Sequence, residues 1–214
     1  MPLSQDERSL VSTSARGVEV DLTGEMLERL GLLLDLVYGG GSRRRLTAVP
    51  RVEAASRHLV DSLFLCPHLP VTGRRILDLG SGAGFPGLVV ATLCPEQELV
   101  LAERSASKAD FLLRAREQLG LDNVTVLAAD MRAGTVEEGG FDGLISRATL
   151  GPGELLRLGR RALRRGGRLL LQLGPRTLEE YHAARRDGFA ELEQRPYALP
   201  DLESQLFLVV LGRI

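Results

Sequence analysis

Two carboxylates, Asp78 and Glu103, bracket a glycine-rich segment, and their placement is where chemistry first becomes legible in this chain. The run Ile76-Leu77-Asp78-Leu79-Gly80-Ser81-Gly82-Ala83-Gly84-Phe85-Pro86-Gly87 passes from a β-rich apolar stretch through an acid into four glycines. Leu88-Val89-Val90-Ala91-Thr92-Leu93 follows as the helix leaving the loop. Strand, tight loop and helix in that order form a nucleotide-type cradle. Glycine lets backbone approach a ligand closely, and a helix N-terminus presents unpaired N–H groups. Gly82 to Gly87 satisfies the G-x-G-x-x-G pattern of dinucleotide sites, a weak signal alone. Asp78 argues against a pyrophosphate, which a carboxylate at the strand end would repel. It favours S-adenosylmethionine, whose sulfonium and ammonium a carboxylate attracts. Glu103 ends a second predicted strand, Leu99-Val100-Leu101-Ala102, roughly 20 residues past the loop, where an acid grips ribose hydroxyls. That acid serves both ligand classes, so an NAD-dependent dehydrogenase stays as the rival reading.

Ligands in open α/β sheets lie beyond the carboxyl ends of the strands. Two further strand ends therefore supply candidates. In Ala129-Asp130-Met131-Arg132, a side chain and a backbone N–H are placed to meet an adenine edge, with a helix cap as the alternative for Asp130. In Ile145-Ser146-Arg147-Ala148, Arg147 points toward methyl donor and acceptor. The alternative is a surface arginine near a helix start, where the dipole disfavours a cation. No [D/N]-P-P-[Y/F] turn exists, since Asn123 is the one asparagine, and neither cysteine follows a proline. Activation of an exocyclic amine or of pyrimidine C5 thus has no visible machinery. An acceptor such as guanine N7, with a free neutral lone pair, requires only positioning.

A parallel sheet with crossover helices must hold these residues. Apolar runs predict strands near 75–80, 98–103, 124–129, 141–147 and 167–173, and helices near 85–94, 106–119, 152–165 and 177–187. A last strand at 206–211, paired with a run around 189–197, gives a strand-strand ending, so the final strand should be antiparallel. This is the seven-stranded, Rossmann-like α/β fold usual for class I S-adenosylmethionine-dependent methyltransferases. Upstream, Leu22 to Val37 repeats at helical spacing behind a Thr23 cap and ends at Gly39-Gly40-Gly41, and a second helix spans about Val52 to Leu65. Residues 1–20 are polar and aperiodic and are expected to be a tail ordered poorly or only by docking. Residues 21–73 then form a helical extension and 74–214 the cofactor-binding domain, one globular unit.

With 214 residues, 44% hydrophobic content and a net charge of −1, the chain is sized for one α/β domain and is no polycation. Lys108 is the one lysine among 27 basic residues. Two cysteines and three histidines suggest no metal set, so Cys66 and Cys94 are expected to be buried thiols. No signal core or membrane span is visible, and a soluble, cytoplasmic monomer is expected.

The motifs together resemble the bacterial RsmG family, also called GidB. Beyond the glycine loop, Leu46-Thr47-Ala48 resembles its N-L-T-A stretch, and Arg57-His58-Leu59-Val60-Asp61-Ser62-Leu63 its R-H-x-x-D-S-L helix. Lys108 to Leu112, Leu119 to Val124 and Phe141 to Ala148 also match in order and spacing. The resemblance implies an S-adenosylmethionine-dependent methyltransferase acting on guanine N7 of small-subunit ribosomal RNA. It implies that Gly80 and Phe85 contact the cofactor, beside the loop's own candidate Gly82, that Met131 and Arg132 meet the adenine, and that Arg147 lies at the transfer site. Arg57 and His58 would border the pocket on the substrate side, with Arg45. Without the family, Arg57 and Asp61 read as an i,i+4 ion pair and His58 as a structural residue. The chain departs from the family at Arg45, which replaces asparagine, at Gln172-Leu173-Gly174, which lacks a lysine, and at Ser204-Gln205-Leu206. A small-molecule methyltransferase and a non-catalytic assembly module therefore stay as alternatives. Arg43, Arg44 and Arg45, and the group Arg160, Arg161, Arg164, Arg165 and Arg168, are candidates for an RNA-facing surface. For the second group, dipole complementation at a helix C-terminus is the competing reading.

Overall fold

The computed structural model describes residues 2–39, 46–70, 74–130, 138–147 and 150–214. Its strands are β1 (Arg75–Leu79), β2 (Glu98–Ala102), β3 (Val124–Leu127), β4 (Phe141–Arg147), β5 (Leu163–Leu173), β6 (Phe189–Tyr197) and β7 (Leu206–Arg213). They form one sheet in the order β3-β2-β1-β4-β5-β7-β6. β1 to β5 pair in parallel, and β7 lies antiparallel between β5 and β6. This is the expected fold, including its antiparallel last strand. The chain builds outward from β1 through β2 to β3, then returns to the other side of β1 for β4. That reversal is the switch point at which such sheets bind ligands.

Alternation along the strands divides the apolar residues between two cores. Ile76, Leu99, Leu101 and Ile145 face one layer, with α4 (Gly87–Leu93) and α5 (Ala106–Leu119). Leu77, Leu79, Val100 and Leu144 face the other, with α6 (Pro152–Ala162) and α7 (Pro175–Ala183). Both faces are covered, which is why the strands read as nearly continuous apolar runs. α6 stops at Ala162, short of the expected 165, because Leu163 is already extended and begins β5.

Residues 1–20, expected to be ordered poorly or only by docking, hold a docked helix instead of a loose tail. α1 (Gln5–Gly17) is a helix whose Ser4 and Glu7 form a reciprocal capping box. Leu3, Val11 and Ala15 are buried in the first core, and Glu7 pairs with Arg51. The apolar stripe is too sparse to show as periodicity, but the S-x-x-E spacing of a capping box was there to be read. α2 (Gly24–Tyr38) begins at the expected Thr23 cap, whose hydroxyl accepts from the Met26 N–H.

The second upstream helix is not one helix. A 3-10 turn (Arg51–Glu53) leads into a π-helical stretch (Ala55–Val60), then α3 (Asp61–Leu63) and another 3-10 turn (Cys66–His68). In a wider helical turn, residues four apart no longer stack as in an α-helix. Arg57 and Asp61 span that wider turn and do not pair; Arg57 instead reaches back to Glu53, in the 3-10 turn before it, at 2.8 Å. Cys94 is buried and Cys66 partly so. A hydrogen bond with Cys94 and burial push the Cys66 thiol up, so it is a poor nucleophile.

Candidate functional site

A cavity of about 430 Å³ opens over the carboxyl ends of β1, β2 and β4. Gly80, Gly82, Phe85, Glu103, Asp130, His58 and Arg147 all line it. The loop after β1 is tied down by backbone. The Gly80 and Ser81 N–H groups donate to the Ala102 carbonyl at 2.8 and 3.2 Å, where β2 ends. Gly80, Gly82 and Gly84 hold φ of 77°, 58° and 90°, which side-chain-bearing residues rarely adopt. Glu103 completes the tether: Oε2 accepts from the Gly82 N–H at 2.9 Å and Oε1 from the Ser105 N–H at 2.8 Å. Each oxygen keeps a lone pair for a ligand hydroxyl.

Asp78 lies behind this loop rather than in the cavity wall. Strand alternation turns it to the same side as Ile76, under the start of α4. It is 1% exposed, and its Oδ2 accepts from the Gly87 N–H at 3.1 Å. A helix N–H that a pyrophosphate would use is thus already taken. Oδ1 has no hydrogen-bond partner among the described residues. Burial raises the carboxyl from 3.8 to about 7. Between those values the folded protein holds a proton that the unfolded chain has released, so this group lowers stability as pH rises. Urea unfolding of wild type and Asp78→Asn across pH 4 to 7 should therefore favour the variant increasingly toward pH 7. A pH-independent difference would mean that Asp78 is not the group titrating there.

Arg147 ends β4 and is the hub of the opposite wall. Its guanidinium donates to the Arg57 carbonyl at 2.7 Å, to Asp61 Oδ2 at 3.0 Å and to His58 Nδ1 at 3.0 Å. A guanidinium can only donate, so His58 Nδ1 carries the lone pair and Nε2–H faces the Thr47 hydroxyl at 3.2 Å. Burial, then the Arg147 and Arg57 charges, push His58 down to about 3, and the ring is neutral. Phe85 stacks on that imidazole with centroids 4.0 Å apart and planes 5° from parallel. Behind Arg147, Asp61 Oδ1 accepts from Tyr197 Oη at 2.6 Å and from Gln172 Nε2 at 2.9 Å. A buried polar network thus links the ends of β4, β5 and β6 to α3.

The structure brings Gly80, Gly82, Phe85, Glu103, Asp130, Arg147 and His58 to one cavity. Arg57 backs the wall through its carbonyl while its side chain turns to Glu53. Met131, Arg132 and Arg45 lie outside the described residues. Sequence reasoning missed Asp61 as the partner of Arg147, because the wider helical turn was not legible. It also missed Tyr197 and Gln172, which come from distant strands and carry no local signal. Lys108 lines the cavity too, and its being the only lysine in the chain was a usable hint. Among the described residues, no group of three or more histidine, cysteine or acidic side chains could hold a metal ion.

A family model described as rRNA small subunit methyltransferase G matches residues 26–205. The chain is similar to a ribosomal RNA small subunit methyltransferase G of Nitrosospira multiformis, at 36% identity over 202 residues covering 91% of this chain and 92% of that one. A protein of the same name from Chromohalobacter salexigens is 35% identical over 198 residues, covering 92% of each. Among solved structures, a predicted O-methyltransferase from Agrobacterium tumefaciens is 26% identical with a TM-score of 0.60, covering 72% of this chain and 79% of that one. A geranyl diphosphate methyltransferase in complex with S-adenosylmethionine shares the fold at 18% identity and a TM-score of 0.63, covering 84% of this chain and 94% of that one.

Proposed function

The chain belongs to the rRNA small subunit methyltransferase G family and is an S-adenosylmethionine-dependent methyltransferase; from that premise we propose that it methylates N7 of a guanine in small-subunit ribosomal RNA. It acts as a monomer in the cytoplasm, and no described helix is long and apolar enough to cross a membrane.

The residues present fit the cofactor. Gly82, at φ 58° on the cavity floor, gives backbone approach without a side chain, and Glu103 offers two carboxylate lone pairs beside it. Gly80, Gly82, Phe85, Glu103 and Asp130 would hold it, with Met131 and Arg132 toward the adenine. Bound there, S-adenosylmethionine supplies a methyl group on a cationic sulfur. Glu103→Ala removes the loop tether and the ribose acceptor together. Calorimetry should read a Kd for S-adenosylmethionine weakened roughly 10- to 100-fold, the cost of losing hydrogen bonds to a charged group. An unchanged Kd would move the ribose elsewhere.

The observation that carries the acceptor is the state of His58. This imidazole lines the cavity, yet its lone pair is occupied by Arg147 and burial keeps it neutral. A group in that state cannot take a proton from an amine or a hydroxyl. Guanine N7 attacks through its own lone pair and loses no proton, so the residues need only orient it and exclude water. Arg147 holds the wall in shape, and His58 is locked there by its stack on Phe85. The family resemblance assigns Arg57 and Arg45 to the substrate side.

Labelled donor offered to small subunits from a deletion strain, to naked ribosomal RNA and to cell extract tests this reading. Label in RNA at an N7-methylated guanine is expected. Transfer only to low-mass material would overturn the RNA acceptor, and cofactor binding without turnover on any substrate would overturn catalysis.

A further inference from the structure

We propose that the arginine-lined groove between α6 and the segment after α7 is a second anionic-backbone site, which grips phosphates of the same RNA along the flank of α6, outside the catalytic cavity. The inference rests on the reading that the substrate is RNA. The groove encloses about 360 Å³ and takes Arg157, Arg160, Arg161, Arg185 and Asp187 into its wall. Gly139 N–H, two residues before β4, donates to the Arg161 carbonyl at 2.9 Å, which pins this end of α6 at the amino ends of the strands. The groove runs along α6 from Gly153, three residues past the cavity-lining Leu150, to Arg161 at those amino ends.

Three features separate this groove from ordinary solvated arginines. From Arg157 to Arg168 the chain carries six arginines and no acid. Dipole complementation at the end of α6 accounts for Arg160 and Arg161, which lie in its last turn, but not for Arg157 or Arg185. The pairing inside the groove is weak. Arg157–Glu154 and Arg161–Glu138 are 3.6 Å apart, Arg185–Asp187 is 3.1 Å, and all these arginines are exposed. Such pairs contribute little and exchange readily for a phosphate. Arg160 pairs with no carboxylate among the described residues.

The chemistry favours phosphate over protein. Guanidinium forks match phosphate oxygens in bidentate fashion. A protein interface of this size needs an apolar centre, and Leu156, the apolar residue of the wall, is buried in the second core. A long polyanion can follow the groove from near the cavity rim to the far end of α6. The groove therefore acts on substrate capture and leaves the transfer step alone.

Arg160→Glu with Arg185→Glu tests this, since both side chains are exposed and neither lies in the catalytic cavity. With small subunits lacking the modification, KM should rise about tenfold, with kcat and the S-adenosylmethionine Kd unchanged. The slope of log affinity against log salt for a naked RNA duplex should become shallower by about 1.5, the loss of two phosphate contacts. The pair Arg160→Lys with Arg185→Lys keeps the charge and should restore most of that slope. A folded double variant with unchanged KM and salt slope overturns the proposal. So does weaker binding to intact subunits with naked-RNA affinity unchanged, which would assign the groove to a protein. Wild type that binds RNA through this groove but methylates none would leave the groove standing and overturn the proposed function instead.

Discussion

Arg147→Ala is expected to lower kcat/KM for methyl transfer at least about 100-fold, the scale for losing substrate positioning, with the Kd for S-adenosylmethionine changed far less. The variant removes three hydrogen bonds at once: those to the Arg57 carbonyl, Asp61 and His58. His58 then loses the donor that fixes its tautomer, and the Phe85 stack loses its orientation. Asp61, 4% exposed, keeps Tyr197 and Gln172 as donors but loses its counter-charge. Breaking a buried ion pair from one side costs about 3–5 kcal/mol. Two neutral donors remain, so the low end is expected in urea unfolding. Arg147→Lys should rescue stability more than activity, because an ammonium keeps the charge but not the planar fork that reaches three acceptors. A folded Arg147→Ala protein with full turnover would remove Arg147 from the transfer site.

Gly87→Ala should be a strongly damaging substitution for a single added methyl group. A Cβ built there overlaps Leu101 Cδ2 and Asp78 Oδ2 and comes within 3.1 Å of Asp78 Cγ. Leu101 sits in β2 and Asp78 in β1, neighbouring strands in register, and both side chains are buried, so they can yield only by repacking the core around them. Displacing Asp78 also breaks its bond to the Gly87 N–H and strands a buried carboxylate. Overpacking together with an unpaired buried group amounts to about 3 kcal/mol or more, enough to endanger folding in a domain of ordinary stability. Gly120→Ala is the control. Gly120 has φ 62° with nothing within 4 Å of a Cβ, so only the backbone penalty of about 1 kcal/mol applies. Equal losses in urea unfolding for the two variants would mean that α4 shifts freely, contrary to the packing described.

The network behind Arg147 shows why a wall can be rigid without a metal or a disulfide. Tyr197 Oη donates to Asp61 and receives from Gln172 Nε2 at 3.0 Å, and the Tyr197 phenol is pushed far up by burial and by the Asp61 charge. A proton held that firmly makes Tyr197 a permanent donor. Buried polar groups joined in this way hold one another in a single arrangement. His58 is positioned by the same logic, from Arg147 on one side and Thr47 on the other.

The sequence by itself determined the sheet, the glycine cradle and the acid at the end of β2. These rest on local rules: alternation of apolar residues, glycine where φ is positive, and a strand-loop-helix order that admits few topologies. It also determined that Arg147 ends a strand at the ligand side. Tertiary structure alone decided what surrounds these residues. It turned Asp78 away from the cavity, because a one-residue step on a strand exchanges faces. It joined Asp61 to Arg147 instead of Arg57, because a π-helical turn changes which side chains align. It brought Tyr197 and Gln172 in from β6 and β5, and it ordered α1 by docking. Each of those outcomes depends on contacts between segments far apart in the chain, and no local pattern encodes them.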